Sequence, residues 1–382
     1  MSIQKKSYLQ KKTGKVITKY FASVWDPAHR KSITGPLQLR KKDAVKDEAD
    51  ILKKLEEGKP ILSRKNQAPT VEQIYKDWKE YIETIYAVNT YKVYQQWFVR
   101  YLQPVFGPER VTGIHTQHIS RYLVAMRKKY APATVNKMLN ILVSFFAYCI
   151  DIQKLIDINP CAGIKRYPVK PTPKETWNED TIAEFLDSCE AKESHYYPMF
   201  LISLTLGPRP GEVCGLPENG YLRNERKLRF SRGQTNYDIP SDMKNTGAHR
   251  TISIPEFICR AIDKHQAWKK RMRLQYPGFA DNNYLFVCGD GSPIRPDAYS
   301  KAFRRAQNNF NKAYDSSLPY ITLYCCRHSF ATNNIKNKVS DKVVAEIMGD
   351  SVKTVLTCYT HPKDDEVQAA VDDYAEKIYK GL

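Results

Sequence analysis

Hydrophobic and polar positions divide the chain into three stretches of different period. From Lys15 to Trp25, and again from Arg30 to Thr34, β-branched and aromatic residues dominate on both sides of Asp26-Pro27. That pattern predicts a hairpin or small antiparallel sheet. Between Lys41 and Glu57 the apolar residues fall at Ala44, Val45, Ala49, Leu52 and Leu55, which predicts one amphipathic helix. Residues 70–165 then read as helical. Thr70-Val71-Glu72-Gln73 has the form of a capping box, followed at helical spacing by Val71, Ile74, Tyr75, Trp78, Ile82 and Ile85. Ile119, Tyr122, Leu123 and Met126 mark another helix, and Val135, Met138, Leu139, Leu142, Phe145, Phe146 and Cys149 a further one. Aromatic stripes of this kind predict the core of a bundle, not a ligand site.

Four prolines (Pro160, Pro168, Pro171, Pro173) among Lys165, Arg166, Lys170 and Lys174 mark a stiff basic linker. Beyond it, Asn178 can cap a helix through Phe185, and Met199 to Leu206 is apolar enough for a buried helix. Shorter β segments follow at Lys227–Arg232 and Arg250–Ile254, and helices resume from Pro255. The expected organisation is 1–65, 70–165, a linker at 166–176, and 177–382. The fold class is α+β and mainly helical: a small N-terminal β-sheet-plus-helix domain, a helical bundle, and a mixed α/β domain with a small antiparallel sheet.

Charge adds a partner to this picture. The 382 residues carry 60 Lys+Arg against 41 Asp+Glu, a formal charge of +19. Residues 1–68 alone hold 17 basic and 7 acidic residues. So uneven a surplus favours a polyanion, because each phosphate neutralised by Lys or Arg releases counterions. The absence of an 18-residue apolar run and of an apolar leader argues against a membrane protein. Nine cysteines without a Cys-x-x-Cys pair read as reduced thiols of a cytosolic protein. Without a phosphate-cradling Gly-rich loop, a His-Glu-x-x-His motif or a carboxylate cluster, neither ATP, a metal nor another cofactor is expected.

The candidate chemistry lies in the third stretch. Gly207-Pro208-Arg209-Pro210-Gly211-Glu212 follows the apolar helix, with Arg209 and Glu212 spaced so that the carboxylate can orient the guanidinium. Lys244 sits in a turn between strand-like segments. Thr322-Leu323-Tyr324-Cys325-Cys326-Arg327-His328 opens another helix. Met348-Gly349-Asp350-Ser351 comes next, and Tyr359 stands nine residues after Asp350.

In this order and spacing the residues resemble the tyrosine recombinases, the phage-type integrases, across most of the chain. The resemblance makes Arg209 and Arg327 the phosphate-binding arginines, Glu212 the acidic partner of the first, Lys244 the turn lysine and Tyr359 the nucleophile. Two positions depart from the family pattern. Tyr324 stands where the family has the His of His-x-x-Arg, and Asp350 where it has the His after Leu-Gly. A hydroxyl at 324 keeps a hydrogen-bond donor. The carboxylate at 350 is repelled by a phosphate unless it is protonated or neutralised by the two arginines, and it could instead accept the proton of Tyr359. His328 and His361 are nearby in sequence and could stand in.

The resemblance further implies site-specific strand exchange for a mobile element through a 3′-phosphotyrosyl intermediate, without cofactor, in the bacterial cytoplasm and on the nucleoid. Residues 1–65 become an arm-type DNA-binding domain and 70–165 a core-binding domain. The candidate DNA contacts are Lys11, Lys12, Lys19, Arg30 and Lys31 in the first, then Lys137, Lys165 and Arg166. Double-stranded DNA at arm-type and core-type sites is the expected partner, with a homotetramer on DNA and room for a directionality factor. The competing readings are a type IB topoisomerase-like relaxing enzyme and a DNA-binding protein with an attenuated site.

Overall fold

The structure is a computed structural model that describes the chain except residues 1–2, 10–15, 29, 58–67, 171–173, 238–239, 242–248, 281, 360–363 and 380–382. Backbone proximity separates two compact units, Met1–Pro171 and Thr172–Leu382.

The first unit begins with three antiparallel strands, β1 (Ile3–Leu9), β2 (Val16–Asp26) and β3 (Lys31–Thr34), with β2 central. Ile3 pairs with Ala22 and Leu9 with Val16, while Asp26 pairs with Lys31 across the second hairpin. Its turn is closed by Asp26, whose Oδ1 accepts the Ala28 N–H at 3.1 Å. Because side chains alternate along a strand, Ala22, Val24 and Ile33 share one face, which is buried with Ile51 of helix α1 (Lys41–Glu56). The predicted stripe on α1 needs correction. Val45, Ala49 and Leu52 are exposed, and Ala44 and Ile51 make the buried seam. A three-stranded sheet is narrow, so only a thin stripe of one helix can be covered.

Helices α2 (Val71–Ile85), α3 (Val88–Trp97), α4 (Gln103–Phe106), α5 (Thr116–Arg127) and α6 (Pro132–Asp151) form a bundle, with one wide turn of π-helix at Phe98–Leu102 between α3 and α4. The Thr70–Gln73 capping box is present: Thr70 Oγ1 accepts the Gln73 N–H at 3.3 Å, and Gln73 Oε1 accepts the Thr70 N–H at 2.9 Å. Trp78, Phe98 and Phe145 pack ring against ring at the centre, 5.2–5.6 Å between centroids. All seven α6 residues of the predicted stripe are buried. By length and composition α6 could cross a membrane, but it is the core helix of this bundle.

The second unit holds helices α7 (Glu179–Asp187), α8 (Cys189–Lys192), α9 (Tyr197–Leu206) and α10 (Pro210–Cys214), then a sheet. Strands β4 (Tyr221–Leu222), β5 (Lys227–Phe230) and β8 (Arg250–Ser253) pair antiparallel in the order β4-β5-β8, and β6 (Gly233–Gln234) pairs with β7 (Pro240–Ser241). Six helices follow: α11 (Glu256–Gln275), α12 (Pro296–Ala313), α13 (Leu323–Lys336), α14 (Asp341–Met348), α15 (Val352–Tyr359) and α16 (Asp364–Tyr379). Asn178 caps α7 as expected, its Oδ1 accepting the Thr181 N–H at 2.8 Å. Helix α9 is buried on nearly every side and ends at Gly207, whose φ of +62° suits only a residue without Cβ, since a methyl there would strike Phe330. The fold is thus α+β and mainly helical, as the residue pattern predicts.

Candidate active site

The left-handed Gly207 turns the chain out of α9, so that Arg209 falls at the N-cap of α10. Glu212, one turn on, accepts from Arg209 twice: from its backbone N–H at 3.1 Å and from Nη1 at 2.9 Å. The predicted spacing of three therefore orients the guanidinium. Arg327 comes from α13, capped by Thr322, whose Oγ1 accepts the Cys325 N–H at 3.2 Å. Its side chain is 1% exposed. Arg327 Nη1 donates to the carbonyls of Gly207 at 2.8 Å and Met348 at 2.7 Å.

Both arginines converge on one oxygen. Asp350 Oδ2 accepts from Arg209 Nη2 at 3.2 Å and from Arg327 Nη2 at 2.6 Å, while Oδ1 accepts the Ser351 N–H at 3.0 Å. Burial pushes the Asp350 carboxyl up, but the Arg327 hydrogen bond and the charges of both arginines prevail and hold it below the ordinary carboxylate range. Burial likewise works against the charge of Arg209, and Glu212 and Asp350 outweigh it, leaving its pKa raised. Both arginines thus pair with Asp350 and offset its charge.

A third arginine completes the cluster. Arg250, at the start of β8, donates from Nη2 to Glu212 Oε2 at 2.9 Å and from Nε to the Ile347 carbonyl at 2.8 Å, with its guanidinium 4.4 Å from the centre of the Phe230 ring. It is missing from the residues singled out in the sequence. The signal was parity: positions 250, 252 and 254 share a face of the predicted strand, and a charged residue in line with Ile252 and Ile254 needs a buried partner. Three consecutive carbonyls at the C-terminal end of α14 are thereby taken by three arginines: Ile347 by Arg250, Met348 by Arg327 and Gly349 by Arg209. Three guanidiniums face two carboxylates, leaving one net positive charge, a setting for an anion.

The remaining expected residues are more scattered. Tyr324 is 52% exposed, its ring 6.1 Å from that of His328 one turn later. Burial, with help from Lys174 and Arg327, lowers the His328 pKa, so its ring is neutral near pH 7. Tyr359 is the last residue of α15. Lys244 lies outside the described residues, as do Lys11, Lys12 and His361. Lys19 is on β2, Lys31 on β3, and Arg30 is exposed in the turn between them with φ +47°. Lys137 is exposed on α6 with its ammonium 5.5 Å from the centre of the Trp97 ring, and Arg166 Nη2 donates to Asn140 Oδ1 at 2.8 Å. Lys165 is exposed beside it.

Comparison with known proteins identifies the family. Residues 175–366, half of the chain, match the phage integrase family, and residues 74–154 match the phage integrase N-terminal SAM-like domain. The ICEBs1 integrase of Bacillus subtilis (strain 168) is 22% identical over 353 residues, covering 89% of this chain and 92% of its own. A structure of the Tn1549 transposon integrase in complex with transposon right end DNA superposes with a TM-score of 0.61 at 22% identity, over 80% of this chain and all of that one. A lambda integrase tetramer bound to a Holliday junction gives 0.56 at 14% identity, over 94% of this chain and 96% of that one. The chain belongs to the phage integrase family. It is a tyrosine recombinase, a site-specific enzyme of DNA strand breaking and rejoining related to the integrases of mobile elements.

Proposed function

We propose that Arg209, Arg327, Lys244 and Tyr359 carry out strand cleavage. The observation that supports this best is the convergence of two guanidiniums on a single anionic oxygen, Asp350 Oδ2. A scissile phosphate in that position has its non-bridging oxygens gripped by Arg209 and Arg327, which stabilise the charge that grows in the transition state. The Tyr359 oxygen attacks phosphorus. A tyrosyl O–P bond forms as the bond to the 5′ oxygen breaks, Lys244 gives its proton to that oxygen, and the phenol proton passes to a neighbouring base or to solvent. The 3′-phosphotyrosyl link stores the bond for rejoining to a second strand. Glu212 acts through Arg209 by holding it, Arg250 in turn holds Glu212, and Tyr324 and His328 border the site.

We assign residues 1–65 to arm-type sites, 70–165 to core-type sites and 177–382 to catalysis. Support for the first is its basic surplus, 17 Lys+Arg against 7 Asp+Glu in residues 1–68, which suits a polyanion. The Tn1549 and lambda complexes support DNA as partner and a tetramer as the working assembly. We further assign the protein to double-stranded DNA in the cytoplasm and on the nucleoid, with a directionality factor as a further partner. The test is incubation of the full chain with a nicked duplex spanning the junction of its own element, without Mg²⁺ or ATP. An SDS-resistant adduct that Tyr359→Phe abolishes is the expected result. Binding to that duplex without adduct would overturn the assignment of the nucleophile.

A further inference from the structure

Asp350 sits where a phosphate oxygen belongs. Its side chain is only 10% exposed and fills the space between the two guanidiniums. Its Oδ2 takes the Arg327 Nη2 bond at 2.6 Å, shorter than most charge-assisted N–H···O contacts. A carboxylate and a phosphate cannot both occupy one pair of arginines, because each would repel the other and halve the donors available to it. We propose that Asp350 is an internal stand-in for the phosphate, which keeps the arginine pair occupied until a duplex-borne phosphate expels it. The inference rests on the reading of Arg209 and Arg327 as phosphate ligands.

Two features make such an exchange workable. The carboxylate is tethered to the backbone beside the arginines, so a free anion competes against a high effective concentration and loses. A phosphate within bound DNA does not compete alone, since the many other backbone contacts of the duplex have already placed it. An expelled Asp350 also keeps a partner: its Oδ1 already accepts the Ser351 N–H at the start of α15, where a helix N-terminus favours negative charge. The site is thereby reserved for DNA and closed to stray phosphate.

The experiment uses the full chain with Tyr359→Phe, so that no cleavage intervenes, and inorganic phosphate as probe at constant ionic strength. With Asp350 intact, the melting temperature should not rise saturably with phosphate. Asp350→Asn should show a saturable rise with affinity at least tenfold higher, and adding Arg327→Gln should remove it. A folded Asp350→Asn protein that binds phosphate no better than its parent overturns the proposal. Should Asp350→Asn fail to fold, the carbon-13 signal of the Asp350 carboxylate in the Tyr359→Phe protein decides. It should shift when the nicked duplex binds, and no change at saturation overturns the proposal. Adduct formation by the native sequence without any phosphate effect of Asp350→Asn would sink this inference alone. A phosphate effect without adduct would sink the assignment of the cleavage chemistry and leave the stand-in intact.

Discussion

Glu212 is the point on which the arginine cluster turns, and replacing it by Gln is the most demanding test of the geometry. Its side chain is 5% exposed and receives three hydrogen bonds, two from Arg209 and one from Arg250. Gln has nearly the same shape but carries one acceptor and one donor where Glu has two acceptors. Whichever way the amide turns, its NH₂ faces a guanidinium, and two buried cations lose their shared countercharge. Breaking a buried pair from one side costs about 3–5 kcal/mol. In a unit of this size each kcal/mol lowers the melting temperature by about 2–4 °C, so a fall of roughly 6–20 °C is expected by calorimetry. Arg223→Gln is the internal control. Arg223 also holds two carboxylates, Glu256 and Asp263, but all three side chains are about 40% exposed, and such pairs are worth about 1 kcal/mol or less. Equal shifts for Glu212→Gln and Arg223→Gln would refute the account of a buried, mutually dependent cluster.

Two further outcomes follow from the second unit. His265 is 6% exposed, and burial, aided by the nearby His195 and Lys269, lowers its pKa to about 3. The folded protein therefore excludes a proton that the unfolded chain takes up below about pH 6.5, so stability falls with pH between about 6.5 and 3, by about 2 kcal/mol at pH 5. Urea midpoints at pH 7 and 5 should reveal this, and His265→Phe should flatten the difference. An unchanged pH dependence in the variant would be contrary evidence. Gly349→Ala should cost about 2–4 kcal/mol, since φ is +67° and the added methyl would press on the Arg250 guanidinium. A denaturant midpoint within error of the parent would count against that packing.

What was legible in the sequence was whatever is local. The Thr70–Gln73 and Asn178 caps, the stripes of α2 and α6 and the Arg209–Glu212 pair each depend on residues within one turn of each other, where helix geometry dictates who meets whom. What escaped depends on contacts across long stretches of chain. Arg250 reaches Glu212 across 38 residues, and Asp350 reaches Arg209 across 141. Ile85, in line with the α2 stripe, is 50% exposed because it closes the helix beyond the bundle seam. The function itself came from the order of Arg209, Arg327 and Tyr359 along the chain, whereas the neutralised state of Asp350 needed three dimensions.

The run of carbonyls at Ile347, Met348 and Gly349 also has a bearing on timing. Arg209, Arg250 and Arg327 each take one of them, so the arginines find their common anchor only once the end of α14 exists. On the ribosome, residues 209 to 327 emerge first and wait. A chain still being made, or cut short before residue 347, carries every arginine of the site and the Glu212 that pairs with two of them, but lacks the carbonyl run that all three share. If the arginines hold the phosphate as proposed, that competence arrives late in synthesis, only about ten residues before the tyrosine itself.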